Sequence, residues 1–249
     1  MTVRLAKLHA TGNDFLVHAG NLSADVAARL CDRHRSVGAD GVLLIMPGSD
    51  GADCSMILYN ADGGRAEMSG NGMRCLAWVA VRARLGDGKR LVVDTDGGRH
   101  VVDVECDAHG DVVAATVDMG PVTFGEGDTV NVGNPHVVVF VDDVATAPVT
   151  TEGPRLELDE RFPNRTNVEF VKVTDAHELT MRVWERGVGE TLSCGTGACA
   201  AAAVAHRKGL VGDSVTVKVL GGDLAVELGD TVRLAGPVVH VFDVDVELP

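Results

Sequence analysis

Short alternating runs of apolar and polar residues fill most of the chain, and the alternation gives way twice to continuous apolar stretches. Ser55-Met56-Ile57-Leu58-Tyr59-Asn60 and Thr180-Met181-Arg182-Val183-Trp184-Glu185 read as strands that end on a polar residue. Residues 91–104 and 215–228 each read as strand, tight turn and strand, with Gly97-Gly98 and Gly221-Gly222 at the turns. Helices are few. Residues 23–34 predict one, with Ser23 as N-cap and Val26, Ala27, Leu30 and Cys31 on one face. The two apolar stretches, residues 72–85 and 197–207, leave almost no polar face, and a helix that is apolar all round is buried. A curled sheet of the surrounding strands would bury each of them. Gly86 and Gly209 are expected as the left-handed residues that end these helices.

The pattern repeats. Gly12-Asn13-Asp14-Phe15-Leu16-Val17 is matched by Gly133-Asn134-Pro135-His136-Val137-Val138, and the strands ending at Asn60 and Glu185 match each other. Glu67-Met68-Ser69-Gly70-Asn71-Gly72 is matched by Thr191-Leu192-Ser193-Cys194-Gly195-Thr196-Gly197, and Asn60 and Glu185 both fall nine residues before the aligned Ser69 and Cys194. Ordered matches at similar separations indicate two equivalent halves. The expectation is an α+β fold of two pseudo-symmetric domains, residues 1–118 and 119–249. Their boundary falls near Met119-Gly120-Pro121, and the final strand is a candidate to pack back on the first half.

At 249 residues and 45% apolar content the chain can build a substantial core. A net charge of −14 without a lysine/arginine block argues against a nucleic-acid partner. No long apolar segment marks a signal peptide or a membrane span, so the sequence reads as a soluble cytoplasmic protein. The six cysteines form no CxxC pair or zinc-ligand spacing, which favours free thiols. Cys31, Cys54, Cys75 and Cys199 sit among apolar neighbours and Cys106 in an alternating strand, so all five read as packed. Cys194 alone stands directly before a glycine-flanked helix start.

A Gly-x-Gly element opening a buried helix exposes unpaired N–H groups that can hold an anion. A tight turn serving only packing is the alternative for either loop. With halves that face each other, both helix N-termini would converge on one anion such as a substrate carboxylate. No Walker lysine follows either loop and neither is a dinucleotide fingerprint, so a nucleotide phosphate fits less well. The helix dipole is expected to lower the Cys194 pKa towards neutrality, making it a base or nucleophile, with structural burial as the alternative. Ser69 has no accessible anion without a neighbouring base and could equally donate a hydrogen bond. Opposed groups flanking a carboxylate-anchored carbon suggest inversion, one removing a proton and the other returning one, with no metal or imine cofactor.

At these residues the chain closely resembles the diaminopimelate epimerase family. The resemblance is carried by Gly12-Asn13-Asp14-Phe15, Val37-Gly38-Ala39-Asp40-Gly41, Tyr59-Asn60-Ala61-Asp62-Gly63 and Gly70-Asn71-Gly72-x-Arg74-Cys75 in the first half. In the second half Gly133-Asn134-Pro135-His136, residues 162–168 and residues 185–197 carry it. It implies two domains, each a mostly antiparallel strand barrel around a central helix, and cofactor-independent interconversion of LL- and meso-diaminopimelate. It also implies that Gly70, Asn71, Gly195 and Thr196 hold the reacting carboxylate through backbone groups. Asn13, Asn60, Asn134, Asn167, Glu185 and Arg186 would complete amino-acid recognition, and His136 would support the loop near the thiol, or fill a core or turn role. A homodimer is a further implication. The departure is Ser69, where the family has its other catalytic cysteine. Three accounts fit: Ser69 relays the second proton, Ser69 was introduced to trap substrate, or the chain is a paralogue with one-base isomerase or eliminase chemistry. A weakly active amino-acid-binding protein is the alternative of a different class.

Overall fold

A computed structural model describes residues 2–248 and divides the chain into two compact units, Met1–Val117 with Gly236–Pro249, and Asp118–Ala235. The first carries β1 (Thr2–Ala10), β2 (Asn13–Ala19), α1 (Ala24–Cys31), β3 (Gly41–Pro47), β4 (Cys54–Asn60) and β5 (Arg65–Ala66). It continues with α2 (Gly70–Arg82), β6 (Arg90–Thr95), β7 (Gly98–Cys106) and β8 (Val112–Asp118). The second carries β9 (Thr123–Phe124), β10 (Thr129–Asn131), β11 (Pro135–Phe140), α3 (Val149–Glu157), β12 (Asn167–Asp175) and β13 (Glu178–Glu185). It ends with β14 (Gly189–Thr191), α4 (Gly195–Arg207), β15 (Ser214–Val219), β16 (Gly222–Leu228) and β17 (Val232–Pro237). The last strand, β18 (Val239–Glu247), lies antiparallel to β1 and so completes the first unit.

The two units share one topology. Hydrogen-bonded neighbours in the first run β18-β1-β2-β3-β4-β6-β7-β8, and in the second β9-β10-β11-β12-β13-β15-β16-β17. Most pairs are antiparallel, but β2–β3, β4–β6, β11–β12 and β13–β15 are parallel. A parallel pair needs a long crossover, and each of the four helices supplies one. α1 and α3 join the first parallel pair of their units, α2 and α4 the second. Both glycine turns form two-residue hairpins, closed by Thr95 opposite Gly98 and Val219 opposite Gly222.

Burial follows from the missing polar face. All residues of α4 from Gly195 to Ala205 are buried, as are most of α2 from Gly70 to Ala80. α2 packs on β1, β2, β3, β4 and β7, and α4 on β10, β11, β12, β13, β15 and β16. Alanine along α4 lets the strands approach its backbone closely. α1 is amphipathic as its periodicity requires, with Ser23 Oγ accepting from Val26 N at 3.4 Å; it ends at Cys31, short of His34. No helix among the described residues is long and apolar enough to cross a membrane.

Two local expectations are corrected. α2 does not end on Gly86: its cap is Ala83, and Arg84 takes the left-handed position at φ 60°, with Leu85 N bonded back to Ala80 O. α4 does end on Gly209, at φ 70°. Cys106 is exposed, because a register shift between Glu105 and Cys106 turns the end of β7 out of the alternation. The other five cysteines are buried and all six are free thiols. α3 was absent from the periodicity because Gly153 and Pro154 interrupt it; a side chain at Gly153 would lie 2.6 Å from Trp184.

Candidate active site

Ser69 and Cys194 are the N-caps of the two buried helices. Ser69 Oγ accepts a hydrogen bond from Gly72 N at 3.1 Å, and Cys194 Sγ one from Gly197 N at 3.4 Å. Both have extended backbones, as an N-cap requires (φ −141° and −123°). The helices therefore begin at Gly70 and Gly195, two residues earlier than their apolar runs suggest. The second glycine of each loop is forced by packing. A Cβ on Gly72 would lie 3.1 Å from Leu43 and 3.2 Å from Ser69; one on Gly197 would lie 2.9 Å from Glu169 Oε1 and 3.2 Å from Cys194.

In the second unit the predicted residues gather around Cys194. Its thiol is buried and contacts the Thr196 hydroxyl at 3.5 Å. Asn134 Nδ2 donates to Thr196 Oγ1 at 3.4 Å, and Asn134 Oδ1 meets His136 Nε2 at 2.8 Å. His136 Nδ1 lies 2.7 Å from Glu169 Oε1, both side chains fully buried. Glu185 accepts a hydrogen bond from the Thr191 hydroxyl. Asn167 is tied to backbone, donating to Pro135 O at 2.9 Å and accepting from Arg186 N at 2.9 Å. It thereby holds the Glu185-Arg186 turn against β11. The Arg186 guanidinium donates to Asn164 O at 3.4 Å.

The expected lowering of the Cys194 pKa is not what this environment produces. Burial pushes the thiol well above its ordinary value of 9.0, and the negative charges of Glu185 and Glu169 push the same way. The Thr196 and Gly197 hydrogen bonds act in the opposite direction and are outweighed. Glu185 is itself raised, by burial first, against hydrogen bonds from Thr191 and Cys194. Cys194 is thus held as a thiol beside two carboxyl groups.

In the first unit Asn71 Nδ2 donates to Asn13 Oδ1 at 3.2 Å, and Asn13 Nδ2 donates to Asp40 Oδ2 at 2.8 Å. Buried Arg74 donates to Asn71 Oδ1 at 2.8 Å and to Thr11 Oγ1 at 3.3 Å. Arg33 bonds both Asp14 and Asp40, and Lys7 bonds Asp14 from inside. Burial opposes ionisation of Asp14, but the Arg33 and Lys7 hydrogen bonds and the Lys7 charge override it and hold the carboxyl at about 2. Asn60 closes β4 as an exposed residue in the turn to Gly64.

Strand register makes the comparison of the two loops exact in position but not in chemistry. Phe15 faces Gly41 across β2–β3 as His136 faces Asn167 across β11–β12, so Leu43 corresponds to Glu169. Asn60 likewise faces Gly41 across β3–β4 and corresponds to Glu185. Ser69 thus sits in a unit with Phe15, Leu43 and Asn60 where Cys194 has His136, Glu169 and Glu185. Glu169, Thr191, Asp40 and Arg33 were missed by sequence reasoning. For Glu169 the signal was a lone carboxylate within the apolar run Val168-Glu169-Phe170-Val171. Among the described residues, no three or more His, Cys, Asp or Glu side chains are grouped to hold a metal ion.

The family model described as diaminopimelate epimerase matches residues 5–125 and 129–241. The chain is 39% identical to the diaminopimelate epimerase of Heliobacterium modesticaldum, over 96% of this chain and 98% of that one. It is 41% identical to the diaminopimelate epimerase of Moorella thermoacetica, over 99% and 100%. The fold is shared with a hydroxyproline epimerase from Agrobacterium vitis, with a TM-score of 0.77 at 18% identity, covering 98% of this chain and 92% of that one. A family match spanning both units, with full-length identity well above the level that separates folds from families, places this chain in the diaminopimelate epimerase family.

Proposed function

We propose that this chain interconverts LL- and meso-diaminopimelate by removing the α-proton and returning one, without a pyridoxal cofactor. The observation that carries the reading is identity over essentially the whole length to relatives that bear that name. Cys194 is the proton-exchanging group on one side and Ser69 its partner. Backbone N–H groups at Gly70, Asn71, Gly195 and Thr196 hold the reacting carboxylate, since the first N–H groups of a helix have no partner within it. Asn13, Asn60, Asn134, Asn167, Glu185 and Arg186 recognise the rest of the amino acid, Arg186 as the carboxylate clamp. The working form is a cytoplasmic homodimer.

The closing test incubates each separated stereoisomer in D₂O and follows deuterium at the α-carbon together with configuration. Uptake with inversion is the expected result. Uptake with retention favours the second reading, a one-base isomerase. That reading is motivated by Ser69 Oγ, which accepts the Gly72 N–H and has Phe15 and Leu43 where Cys194 has His136 and Glu169. No uptake from any isomer removes the enzymatic reading and leaves an amino-acid-binding protein. Ser69→Cys should raise the exchange rate by ~10²–10⁴-fold if the hydroxyl limits proton transfer.

A further inference from the structure

Glu169 lies on β12, with no exposed side-chain surface, one strand away from the loop that carries the thiol. Oε1 is bonded to His136 Nδ1, and Oε2 has no hydrogen-bond partner among the described residues. A carboxylate with one oxygen unsatisfied is a poor choice for packing alone. The corresponding position in the first unit is filled by Leu43, so the fold itself does not require an acid there. The same oxygen that meets His136 would sit 2.9 Å from a Cβ on Gly197, in the first turn of α4 and beside Cys194.

The contacts form a chain. Glu169 holds His136, His136 holds Asn134, Asn134 donates to Thr196, and Thr196 touches the thiol. We propose that Glu169 is a positioning residue for Cys194: its carboxylate accepts a hydrogen bond from His136 Nδ1 and so fixes imidazole, Asn134 and Thr196 as one polar chain that ends on the thiol. The inference rests on Cys194 as the proton-exchanging group. The titratable groups acting on the thiol are Glu185 from β13 and Glu169 from β12; His136 from β11 acts on Glu185 and reaches the thiol through Asn134 and Thr196, and α4 carries buried Cys199 in its first two turns. Removing the Glu169 charge takes away one of the forces that keep Cys194 protonated. Glutamine keeps the size and an acceptor oxygen for Nδ1, whereas leucine keeps neither charge nor acceptor.

The test is a nuclear magnetic resonance titration of the full chain labelled at cysteine Cβ with ¹³C and at histidine with ¹⁵N, with Cys194 assigned through Cys194→Ser. In the unaltered protein the Cys194 signal should stay that of a thiol into alkaline pH, and His136 should carry a proton on Nδ1 in addition to the one that Nε2 donates to Asn134 Oδ1. In Glu169→Gln the Cys194 midpoint should fall by about one pH unit or more, with His136 still protonated on Nδ1. In Glu169→Leu the Nδ1 proton should no longer be held. A Cys194 midpoint unchanged in Glu169→Gln overturns the proposal. If the variants do not fold, the unaltered protein still decides, because a His136 ring protonated only at Nε2 overturns it as well. These readouts need no turnover. Absent α-proton exchange with a shifted Cys194 midpoint would therefore sink the substrate reading and leave the positioning role standing.

Discussion

Transplanting the first unit's residues into the second measures what the buried pair does for stability. The double variant His136→Phe with Glu169→Leu recreates the Phe15 and Leu43 combination at matching positions and similar volumes. His136 and Glu169 are fully buried at 2.7 Å, so removing one partner strands the other in a low-dielectric interior, at a cost of about 3–5 kcal/mol. His136→Phe should be the worse single change, because it leaves Glu169 with neither oxygen bonded. Glu169→Leu should cost less, since the His136 Nε2 contact with Asn134 Oδ1 remains. The pair as built also leaves Oε2 unsatisfied, at about 1–3 kcal/mol. The double variant should therefore be near neutral, or more stable by about 1–4 kcal/mol, as when buried ion pairs are replaced by apolar residues of like size. The interaction term of the cycle should be about 3 kcal/mol or more, outside the few tenths expected of independent sites. Urea denaturation of the four proteins without ligand reads it, with thermal midpoints moving about 2–4 °C per kcal/mol in a chain of this size. A double variant as unstable as the sum of its singles would refute the argument that the buried polar pair, rather than the shape of the cavity, sets the cost.

The remaining predictions concern charge, capping and thiol access. Asp14→Asn should destabilise by about 2 kcal/mol or more at pH 7, since the carboxyl is held at about 2 against an ordinary 3.8. A depressed acid stabilises above its unfolded pKa, so the gap between the two proteins should close as pH falls from about 4 towards 2 in denaturation curves. A gap constant over that range would show that the Lys7 and Arg33 ion pairs are not its source. Ser69→Ala removes the α2 cap and should cost about 0.5–2 kcal/mol in chemical denaturation, while Ser69→Gly should lose only a few tenths. Equal losses would assign the effect to something other than capping. Titration with a disulfide reagent should find one fast thiol, Cys106, absent in Cys106→Ser, with the buried five reacting only on unfolding. Burial raises Cys31 and Cys54 to about 11 and Cys75 to about 12, which slows them further.

The architecture was legible wherever the pattern depended on local periodicity. Two helices with no polar face had to be buried, and matching strand, loop and helix order exposed the duplication before any contact was known. What escaped depends on neighbours distant in sequence. Glu169 reads as one polar residue in a strand, and only the pairing of β11 with β12, which sets His136 opposite Asn167, brings its carboxylate to His136 Nδ1. Cys194 stands at a helix N-terminus, as its glycines suggest, yet its protonation is set by carboxylates from two other strands. Asn13 and Asn71 were recognisable by motif, whereas the Asp40 and Arg33 brace behind Asn13 is a product of the fold. α3 was hidden because the glycine that breaks its propensity is the residue Trp184 needs beside it.

The pairing of β18 with β1 joins residues as far apart as Thr2 and Glu247. During synthesis the second unit, continuous from Asp118 to Ala235, can emerge whole and fold while the chain is still growing. The first unit cannot. Its opening strand waits at an open sheet edge until β18 has left the ribosome, and that edge is the natural place for another chain to pair by mistake. The first unit is completed only after the second has been made, so losing β18 would leave β1 with an unprotected edge.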